Sequence, residues 1–567
     1  MKKQLLNFLF ILFVYNSSFS QNYIWAKAID GTNNSLSNSI QVDVSGNVYI
    51  TGYFNDTTDF DPGISTATLA SNGQVDIFVA KYDNMGNYLW AINIGGSGDD
   101  IGNFVQLDAG GNVYVTGVYQ ATVDFDPGAG TANLVSAGAS DIFMAKYDNT
   151  GNYVWAKSIG NTGADVGNGL QLDASGNVYI TGYFAGTVDF DPGIGTANLV
   201  SPGIYSDVFI AKYDNTGAYF WAKNIGGPGN DIGNSLQLDA SSNIYLTGTF
   251  QSTVDFDPGP GTATIASAGG ISDIFIAKYD NMGNYTWAKS LGGPGDEVPY
   301  TIQLDAAANV HVTGYFSATV DFDPGAGTAN LISNGNYDVF IGKYDNTGNY
   351  IWAKGFGGTG NDVGSYLQLD AAGSVYLTGT FHGNVDFDPG PVTATLNTAG
   401  SVDIFISRFD NAGNFLRASN IGGVASSGYS YSMKLDASDN MHITGRFQGY
   451  VDFDMSGNYL NLSSIGRDGI YIAKYNDVAI GIKELSMDAE KLMVYPNPNR
   501  GQFYLGGNFN KDKFSVEVVD VMGKVIMETD FDSENKMFDF NSYSKGLYFI
   551  KVYRSGELLA ARKICVE

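Results

Sequence analysis

Short runs of alternating apolar and polar residues fill most of the chain, and the same order of runs returns every 65 or 66 residues. Each cycle holds four runs rich in Val, Ile, Tyr and Phe, such as NVYITGYF and DVFIAKYD, separated by Gly and Asn. A period of two over short runs predicts β-strands and not helices. Turns such as SGN at 175–177 and DNTGN at 148–152 permit positive φ and predict hairpins. The pattern therefore predicts an all-β repeat protein.

One cycle is divided between the two ends of the repeat region. NYIWAKAI at 22–29 corresponds to the fourth strand of a cycle, whereas IYIAKYND, ending at Asp477, is a third strand with no fourth strand after it. Radial repetition of four-stranded units is a β-propeller. We therefore predict a seven-bladed β-propeller over 22–477, in which residues 22–29 pair with 470–475 and close the last blade. An open solenoid with polar end caps is the alternative, and the complementary ends argue against it.

One aromatic position recurs in the fourth strands. Trp25, Trp90, Trp155, Trp221, Trp287 and Trp352 occupy it, and Arg417 replaces Trp in the sixth cycle. A repeated aromatic stripe of this kind predicts packing between blades.

The N-terminal residues have the pattern of an export signal. Lys2 and Lys3 precede the apolar run LLNFLFILFV, and small residues follow it, which predicts a secretory signal peptide over 1–20. No other apolar run approaches the roughly 20 residues of a membrane span. The single cysteine, Cys565, has no partner in the chain for an internal disulfide.

The composition changes after about residue 480. Of the formal net charge of −28, about −26 lies before residue 484, because residues 484–567 contain 13 acidic and 11 basic side chains. Short strands separated by Gly and Asn turns predict a small immunoglobulin-like β-sandwich over 491–567. Residues 478–490 are predicted to be a linker.

Four motifs in this last segment carry a resemblance. VYPNPNRGQF, VEVVDVMGKVI, SKGLYFIKV and ARKICVE, in this order, resemble the C-terminal sorting domain, type A, of the type IX secretion system. The resemblance implies export from the periplasm across the outer membrane of a Gram-negative bacterium, with the type IX machinery as a partner and a secreted or surface-attached product. An ordinary appended immunoglobulin-like domain is the alternative. The matching positions are Tyr495, Pro496, Asn497, Pro498, Gly501, Gly523, Gly546 and Tyr548.

The repeats also resemble a family. GNVYITG, TVDFDPG, SDIFIAKYD and GNYVWAKSIGG are similar to the SBBP β-propeller repeats over nearly all of 22–477. This resemblance implies a fold and a surface or secreted location, but no activity.

Carboxylates are the main candidate chemistry. If the four predicted strands of a blade are called a to d from the centre outwards, the antiparallel order places the d-to-a and b-to-c loops of every blade on one face. These long loops are where function is expected. Two series of acids lie there, and if they converge, calcium is the natural ligand; capping of turns by the Asp side chains is the structural alternative. The acid pairs of the DFDP tetrads are Asp59 and Asp61, Asp124 and Asp126, Asp189 and Asp191, Asp255 and Asp257, Asp321 and Asp323, Asp386 and Asp388, and Asp452 and Asp454; the second series is Asp100, Asp165, Asp231, Glu297 and Asp362.

Few residues in the chain point to catalysis. The histidines are His311, His382 and His442, of which the first and the last replace a strand Tyr, and no nucleophile, phosphate-loop or His-rich metal motif is present. Strong negative charge disfavours nucleic acid and bare anionic membranes as partners. We therefore expect a non-catalytic propeller that binds glycan or protein through its acidic loop face. A secreted polysaccharide-degrading hydrolase or lyase, and a structural surface or adhesion component, are the alternatives.

Overall fold

The computed structural model describes residues 20–455, 460–478, 493–495, 501–506, 514–520, 524–531, 535–554 and 557–566. Every regular element in these ranges is a β-strand, and none of the ranges contains a helix that could span a membrane. Residues 21–477 form one compact unit, and residues 478–567 belong to a second. Most of the predicted signal peptide and of the predicted linker lies outside the described residues, so both stay predictions.

Seven four-stranded antiparallel sheets build the larger unit, and two of them are extended by a short ribbon. We call the strands of each sheet a, b, c and d from the centre outwards, and number the sheets along the chain by strand a. In the seventh sheet, strand d comes from the N-terminal end of the unit and lies beside strand c, as predicted. The strands of the first to the seventh sheet are Ser35–Val42, Val48–Phe54, Asp76–Tyr82 and Tyr88–Gly96; Ile101–Leu107, Val113–Tyr119, Asp141–Tyr147 and Tyr153–Ile159; Val166–Leu172, Val178–Asp189, Asn198–Tyr213 and Tyr219–Ile225; Ile232–Leu238, Ile244–Phe250, Asp273–Tyr279 and Tyr285–Leu291; Glu297–Leu304, Val310–Phe316, Asp338–Tyr344 and Tyr350–Phe356; Val363–Leu369, Val375–Phe381, Asp403–Phe409 and Phe415–Ile421; Ser427–Leu435, Met441–Gln448, Gly469–Val478 and Ser20–Gly31.

The innermost strands form a closed ring. Strand a of each sheet contacts strand a of the next sheet, and strand a of the seventh sheet contacts strand a of the first. Across this last junction, the backbone N–H of Ile40 donates to Ser432 Oγ at 3.3 Å. The predicted all-β propeller fold is therefore confirmed, and an open solenoid is not observed.

Short ribbons in the connections between strands b and c link neighbouring sheets. The ribbon of the second sheet pairs with strand d of the first sheet, where Val123 lies opposite Gly96. In the third sheet, the ribbon is continuous with strands b and c. The separate ribbons are Thr57–Asp59 with Thr68–Ala70, Thr122–Asp124 with Asn133–Val135, Thr253–Asp255 with Thr264–Ala266, Thr319–Asp321 with Asn330–Ile332, Asn384–Asp386 with Thr395–Asn397, and Tyr450–Asp452 with Asn461–Ser463.

The apolar core lies between adjacent sheets, and the recurring Trp of strand d joins them at the edge. Tyr49 and Ile77 of the first sheet pack in one cluster with Val113 and Val115 of the second. In five of the six Trp residues, the indole N–H donates to an Asn carbonyl in the c–d turn of the next sheet, which agrees with the predicted role in packing between blades. These pairs are Trp25 and Asn84, Trp90 and Asn149, Trp155 and Asn215, Trp287 and Asn346, and Trp352 and Asn411.

A buried carboxylate fixes strand c against strand d in six sheets. The Asp that begins strand c fills the space beside a Gly of strand d, where a Cβ on that Gly would overlap the carboxylate. Asp76 also accepts a hydrogen bond of 2.8 Å from the backbone N–H of Asn72, which belongs to the b–c connection. The six pairs are Asp76 and Gly95, Asp141 and Gly160, Asp207 and Gly226, Asp273 and Gly292, Asp338 and Gly357, and Asp403 and Gly422.

The seventh sheet contains the same contact with the two residues exchanged. Gly469 begins strand c, and Asp30 occupies the strand d position that is Gly elsewhere. The Asp30 carboxylate accepts hydrogen bonds from the backbone N–H groups of Ile465 and Gly466, the counterparts of Asn72 and the residue after it. The two ends of the propeller chain thus fit each other through a reciprocal exchange of Asp and Gly.

The smaller unit contains two sheets around one apolar core. Phe503 and Phe538 from one sheet pack with Val516, Ile550 and Ile564 from the other. Two sheets with a shared core agree with the predicted β-sandwich. The three-stranded sheet consists of Met493–Tyr495, Gln502–Gly506 and Asn535–Asp539, and the four-stranded sheet has the order Val525–Phe531, Phe514–Asp520, Gly546–Arg554 and Glu557–Val566.

The exchanged pair gives a test of ring closure. We expect Asp30→Gly to lower the free energy of unfolding by about 1–3 kcal/mol, because two backbone N–H groups lose their acceptor. We expect Gly469→Asp to destabilise the protein as well, because its Cβ would meet Asp30 Oδ1 at 3.2 Å and two carboxylates would share one space. The double variant restores the arrangement of the other six sheets, so denaturant unfolding should show favourable coupling of about 1–3 kcal/mol. Simple additivity of the two losses would contradict this account.

Candidate functional site

The DFDP acids cap turns in the b–c connections. Asp59 Oδ1 accepts from the backbone N–H groups of Asp61 at 3.1 Å and of Ala67 at 2.8 Å, and Asp61 Oδ1 accepts from the N–H of Gly63 at 2.8 Å. The first acid lies at the end of a three-residue strand, where the chain turns, so its carboxylate folds back onto its own loop. The same bonds recur at Asp124 and Asp126, Asp189 and Asp191, Asp255 and Asp257, Asp321 and Asp323, and Asp386 and Asp388; Asp452 accepts the equivalent pair of bonds, from Asp454 and Leu460.

The second series of acids is buried and bonded to backbone amides. Asp100 Oδ2 accepts from the N–H of Gly96 at 2.7 Å, at the end of strand d of the first sheet. Asp100 Oδ1 accepts from the N–H of Gln120 at 2.9 Å, after strand b of the second sheet. Asp165, Asp231 and Asp362 join the two connections in the same way, which agrees with the prediction that both loops lie on one face. Glu297 accepts from the N–H of Gly293 in its own d–a loop at 3.2 Å. The side chains of Asp100, Asp165, Asp231, Glu297 and Asp362 all have zero exposed surface.

This geometry corrects the expectation that these five acids present a ligand-binding surface. A carboxylate that is sealed from solvent and bonded to loop amides holds the loops together and has no surface to offer a ligand. Burial raises the pKa of Asp231 to about 7 and that of Glu297 to about 8, against the lowering effect of their amide partners.

Calcium binding gains no support from the described residues. Within them, no group of three or more His, Cys, Asp or Glu side chains is arranged to hold a metal ion. The DFDP acids instead fit the turn-capping alternative, because their oxygens accept backbone N–H groups.

Two of the three histidines are core residues of strand b. His311 and His442 have no exposed surface, and burial lowers the pKa of each. His311 lies edge-on to Trp352 with ring centroids 6.1 Å apart, as the corresponding Tyr does in other sheets. The interpretation of these two histidines as structural strand residues therefore agrees with their packing.

A cluster of tyrosines on the loop face of the fifth sheet departs from the repeat. Tyr315 packs against Tyr337 at 4.5 Å and against Tyr300 at 6.0 Å between ring centroids. Tyr300 replaces an Asn that, in the first four sheets, bonds the next innermost strand, as Asn103 does to the carbonyl of Gly167 at 3.0 Å. The exchange leaves 43% of the Tyr300 side chain exposed.

One carboxylate lies beside these rings. Asp296 accepts from Tyr315 Oη at 3.3 Å and from Ser272 Oγ at 2.8 Å. Burial and the nearby Asp296 charge raise the pKa of Tyr300 and Tyr315, so both hydroxyls stay protonated donors. We call the three rings together with the adjoining cavity the tyrosine cleft. Tyr337 lines the cavity itself, and Tyr315 and Tyr300 adjoin it through their contacts with Tyr337, Asp296 and each other. The cavity has a volume of about 390 Å³ and is lined by Ile271, Pro294, Gly295, Asp296, Ser317, Asn336, Tyr337 and Asn361.

Sequence reasoning did not find the tyrosine cleft. The sequence does contain a sign of this cluster, because Tyr300 occupies a position that is Asn in the four earlier repeats. Sequence reasoning also did not single out the Asp that begins strand c, whose role depends on a Gly in the neighbouring strand. Both become visible when equivalent repeat positions are compared across sheets.

The sorting-domain residues are only partly described. Gly501 has φ of +95°, which favours glycine, and its carbonyl accepts from the N–H of Phe540 at 2.6 Å. Tyr548 is buried, and its hydroxyl donates to the carbonyl of Ser544 at 2.6 Å. Tyr495 ends the first strand and Gly546 begins the strand Gly546–Arg554. Pro496, Asn497, Pro498 and Gly523 lie outside the described residues.

The raised pKa of Glu297 predicts a pH dependence of stability. Between its ordinary pKa of 4.5 and about 8, the folded state holds a proton that the unfolded state has released, so the free energy of unfolding falls as pH rises. Glu297→Gln removes this titration, and we expect a shallower decline in denaturant unfolding measured between about pH 5 and 8. Asp345→Asn is the control, because the Asp345 pKa is lowered to about 2 and the slope in this range should not change. A wild-type slope in Glu297→Gln would contradict the assignment.

The C-terminal residues match a known family model. Residues 493–567 match the secretion system C-terminal sorting domain, which confirms the predicted resemblance to the type IX sorting domain. The SBBP type of the repeats is not shown and stays a prediction.

Two relatives match most of the chain at low identity. The chain is 25% identical over 539 residues to an uncharacterized WD repeat-containing protein of Acanthamoeba polyphaga mimivirus, covering 80% of this chain and 38% of that protein. It is 22% identical over 379 residues to the regulatory protein FlaEY of Caulobacter vibrioides, covering 64% of this chain and 38% of that protein. The chain thus spans well under half the length of both relatives.

Similar solved structures were also found. A protein of unknown function from Bacteroides caccae aligns at 8% identity, with 60% of this chain and 89% of that chain covered and a TM-score of 0.30. PorZ, a surface component of the type IX secretion system of Porphyromonas gingivalis, aligns at 13% identity, with 96% and 100% covered and a TM-score of 0.17. With TM-scores this low, neither structural similarity indicates a function for this chain. The sorting domain therefore carries the assignment: the chain ends in a type IX secretion signal and is exported to the bacterial cell surface or secreted.

Proposed function

We propose that this protein is a non-catalytic, secreted or surface-attached propeller that binds carbohydrate in the tyrosine cleft. The observation that carries the proposal is the exposed Tyr300 beside Tyr315, Tyr337 and Asp296 on the loop face. Export by the type IX route supports the proposal, because it brings the chain to the cell surface or the extracellular space, where glycans are available as ligands.

The rings supply the apolar part of a sugar site. Tyrosine offers a large, rigid surface with few rotatable bonds, so little side-chain entropy is lost when a ligand packs on it. The C–H face of a sugar ring is apolar, and the exposed face of Tyr300 is a platform of matching size. The rim of the cleft adds Ile271, which is 67% exposed.

The polar groups of the cleft suit hydroxyl recognition. Asp296 is fixed by Ser272 and Tyr315, and its backbone N–H donates to Ser317 Oγ at 2.7 Å. A few fixed polar groups beside apolar and aromatic surface are the usual pattern of a small-ligand site. The amide side chains of Asn336 and Asn361 line the same cleft and supply both donors and acceptors.

The cleft also favours binding over hydrolysis. Glycoside hydrolysis by the common mechanism uses two carboxyl groups on opposite sides of the scissile bond. Among the described residues that line the cleft, Asp296 is the single acid. A neutral or hydroxyl-rich glycan is therefore the preferred ligand class, and protein ligands are the second choice.

A glycan array on the full chain, followed by calorimetric titration of a positive glycan, tests the proposal. We expect Tyr300→Ala and Tyr337→Ala each to lower affinity about fivefold or more, because an aromatic contact is worth about 1 kcal/mol. Tyr205→Ala is the matched control: Tyr205 is also 43% exposed but lies in the third sheet, and its removal should leave affinity unchanged.

Each other outcome decides between the alternatives. Release of reducing or unsaturated ends from a bound glycan would replace binding by polysaccharide degradation. An empty array with a folded protein would reject the carbohydrate proposal and favour a structural role. An equal loss in all three variants would show that the tyrosine cleft is not the site.

A further inference from the structure

The face opposite the loops carries a second cleft, at the a–b turns of the first two sheets. It has a volume of about 540 Å³ and runs from Gln41, Gln106 and Lys434 on the innermost strands to Lys81 and Asn149 further out. We call it the lysine cleft. Two exceptions to the repeat meet in it, and both are lysines.

Lys434 is the first exception. Lys434 on strand a lies opposite His442 on strand b. In the same way, Gln41 lies opposite Tyr49 and Gln106 lies opposite Tyr114. Lys434 therefore occupies the position that is Gln in the other innermost strands. These glutamines neighbour one another around the ring, and Gln106 Nε2 donates to Gln171 Oε1 at 2.9 Å. Within the part of the chain that the structure describes, Lys434 has no ion pair. Burial takes its ammonium group partly out of water and lowers its pKa. The glutamines at the equivalent position are Gln41, Gln106, Gln171, Gln237, Gln303 and Gln368.

Lys81 is the second exception. In the second to the seventh sheet, the cation of strand c lies within 4.0 Å of the Asp of the a–b turn. Lys81 instead donates to the carbonyl of Asn149 at 3.3 Å and lies 4.8 Å above the Tyr49 ring. No ion pair joins it to an acid among the described residues. The six paired cations are Lys146 with Asp108, Lys212 with Asp173, Lys278 with Asp239, Lys343 with Asp305, Arg408 with Asp370, and Lys474 with Asp436.

The acids of the lysine cleft are already engaged. Asp43 accepts from the N–H groups of Ser45 and Asn47 at 2.9 Å each, and also from the Asn47 side chain at 2.8 Å. Asp108 accepts the equivalent bonds in its own turn and lies 3.7 Å from Lys146. Their oxygens are thus occupied by fixed donors, whereas the two lysines line the cleft without an acid partner among the described residues.

We propose that the lysine cleft binds a small, hydroxyl-rich carboxylate, such as a sugar acid. Its carboxylate pairs with the Lys434 ammonium and accepts from the amides of Gln41 and Gln106, and Lys81 holds the far side of the ligand. The volume falls in the range of small-molecule sites, and a charge-assisted bond to a partly desolvated ammonium is stronger than a neutral one. The strong net negative charge of the protein disfavours long polyanions, so a single small acid is the matching class.

Sodium glucuronate and glucose, titrated calorimetrically into the full chain, test this site. We expect glucuronate to bind and glucose to bind at least about tenfold more weakly. Lys434→Gln restores a ring of seven glutamines and should lower glucuronate affinity about tenfold or more, because one charge-assisted bond is lost. Lys81→Gln should have a smaller effect of the same sign. Lys278→Gln, an equivalent strand c cation with an ion pair, is the control and should bind as wild type.

The test separates this site from the tyrosine cleft. Tyr300→Ala should leave glucuronate binding unchanged, so failure of one proposal does not carry over to the other. Absence of glucuronate binding by the folded wild type, equal binding of glucose, or unchanged binding by Lys434→Gln would each overturn the proposal. As a second readout, ¹³C-dimethylated lysines followed by NMR should show a glucuronate-dependent shift of the Lys434 signal and none of the Lys278 signal.

Discussion

Pairing of the strand Ser20–Gly31 with the strand Gly469–Val478 is the constraint on which the rest of the propeller depends. The innermost strands form a ring only if the seventh sheet is complete, and its outer strand comes from the opposite end of the chain. A closed sheet arrangement leaves no incomplete blade to pair with another molecule. The contact that specifies this pairing is local, because Asp30 fills the space that Gly469 leaves empty and binds two backbone amides that would otherwise lack a partner.

Acceptance of backbone N–H groups by carboxylates also explains why a protein with so many acidic residues offers few of them to a ligand. In each sheet, carboxylates accept hydrogen bonds from loop N–H groups, as Asp100 does from two separate connections. Loops on the surface of a β-protein contain many backbone groups that no strand can satisfy, and a carboxylate accepts several of them at once. Burial of these carboxylates is costly, which is why the pKa of Glu297 rises to about 8. The acids therefore hold the loops of this face in place and do not identify a ligand.

The fold could be predicted from the sequence, because a long repeat with complementary ends is compatible with few arrangements of the strands. The role of the acids could not be predicted in this way. The rule that residues i and i+2 point the same way holds on a straight strand, but the strand ends at Asp59 and the chain turns, so Asp59 and Asp61 bind their own loop. The aromatic cluster around Tyr300 and the cleft at Lys434 were missed because each joins residues of different strands. Contacts of that kind are fixed by the register of the sheets, which a single repeat does not specify.

Departures from the repeat divide into those that the architecture requires and those that it does not. Arg417 replaces Trp in the sixth sheet, where the next sheet has no c–d turn, since strands c and d of the seventh sheet come from opposite ends of the chain; a Trp there would have no turn carbonyl to bind. The exchange at Asp30 and Gly469 likewise belongs to ring closure. Tyr300 and Lys434 answer no such need, because Asn at the first position in the first four sheets and Gln at the second position in the other six sheets serve the architecture. In a repeat this regular, a residue that breaks the pattern without a structural reason is the better guide to binding than the residues that repeat.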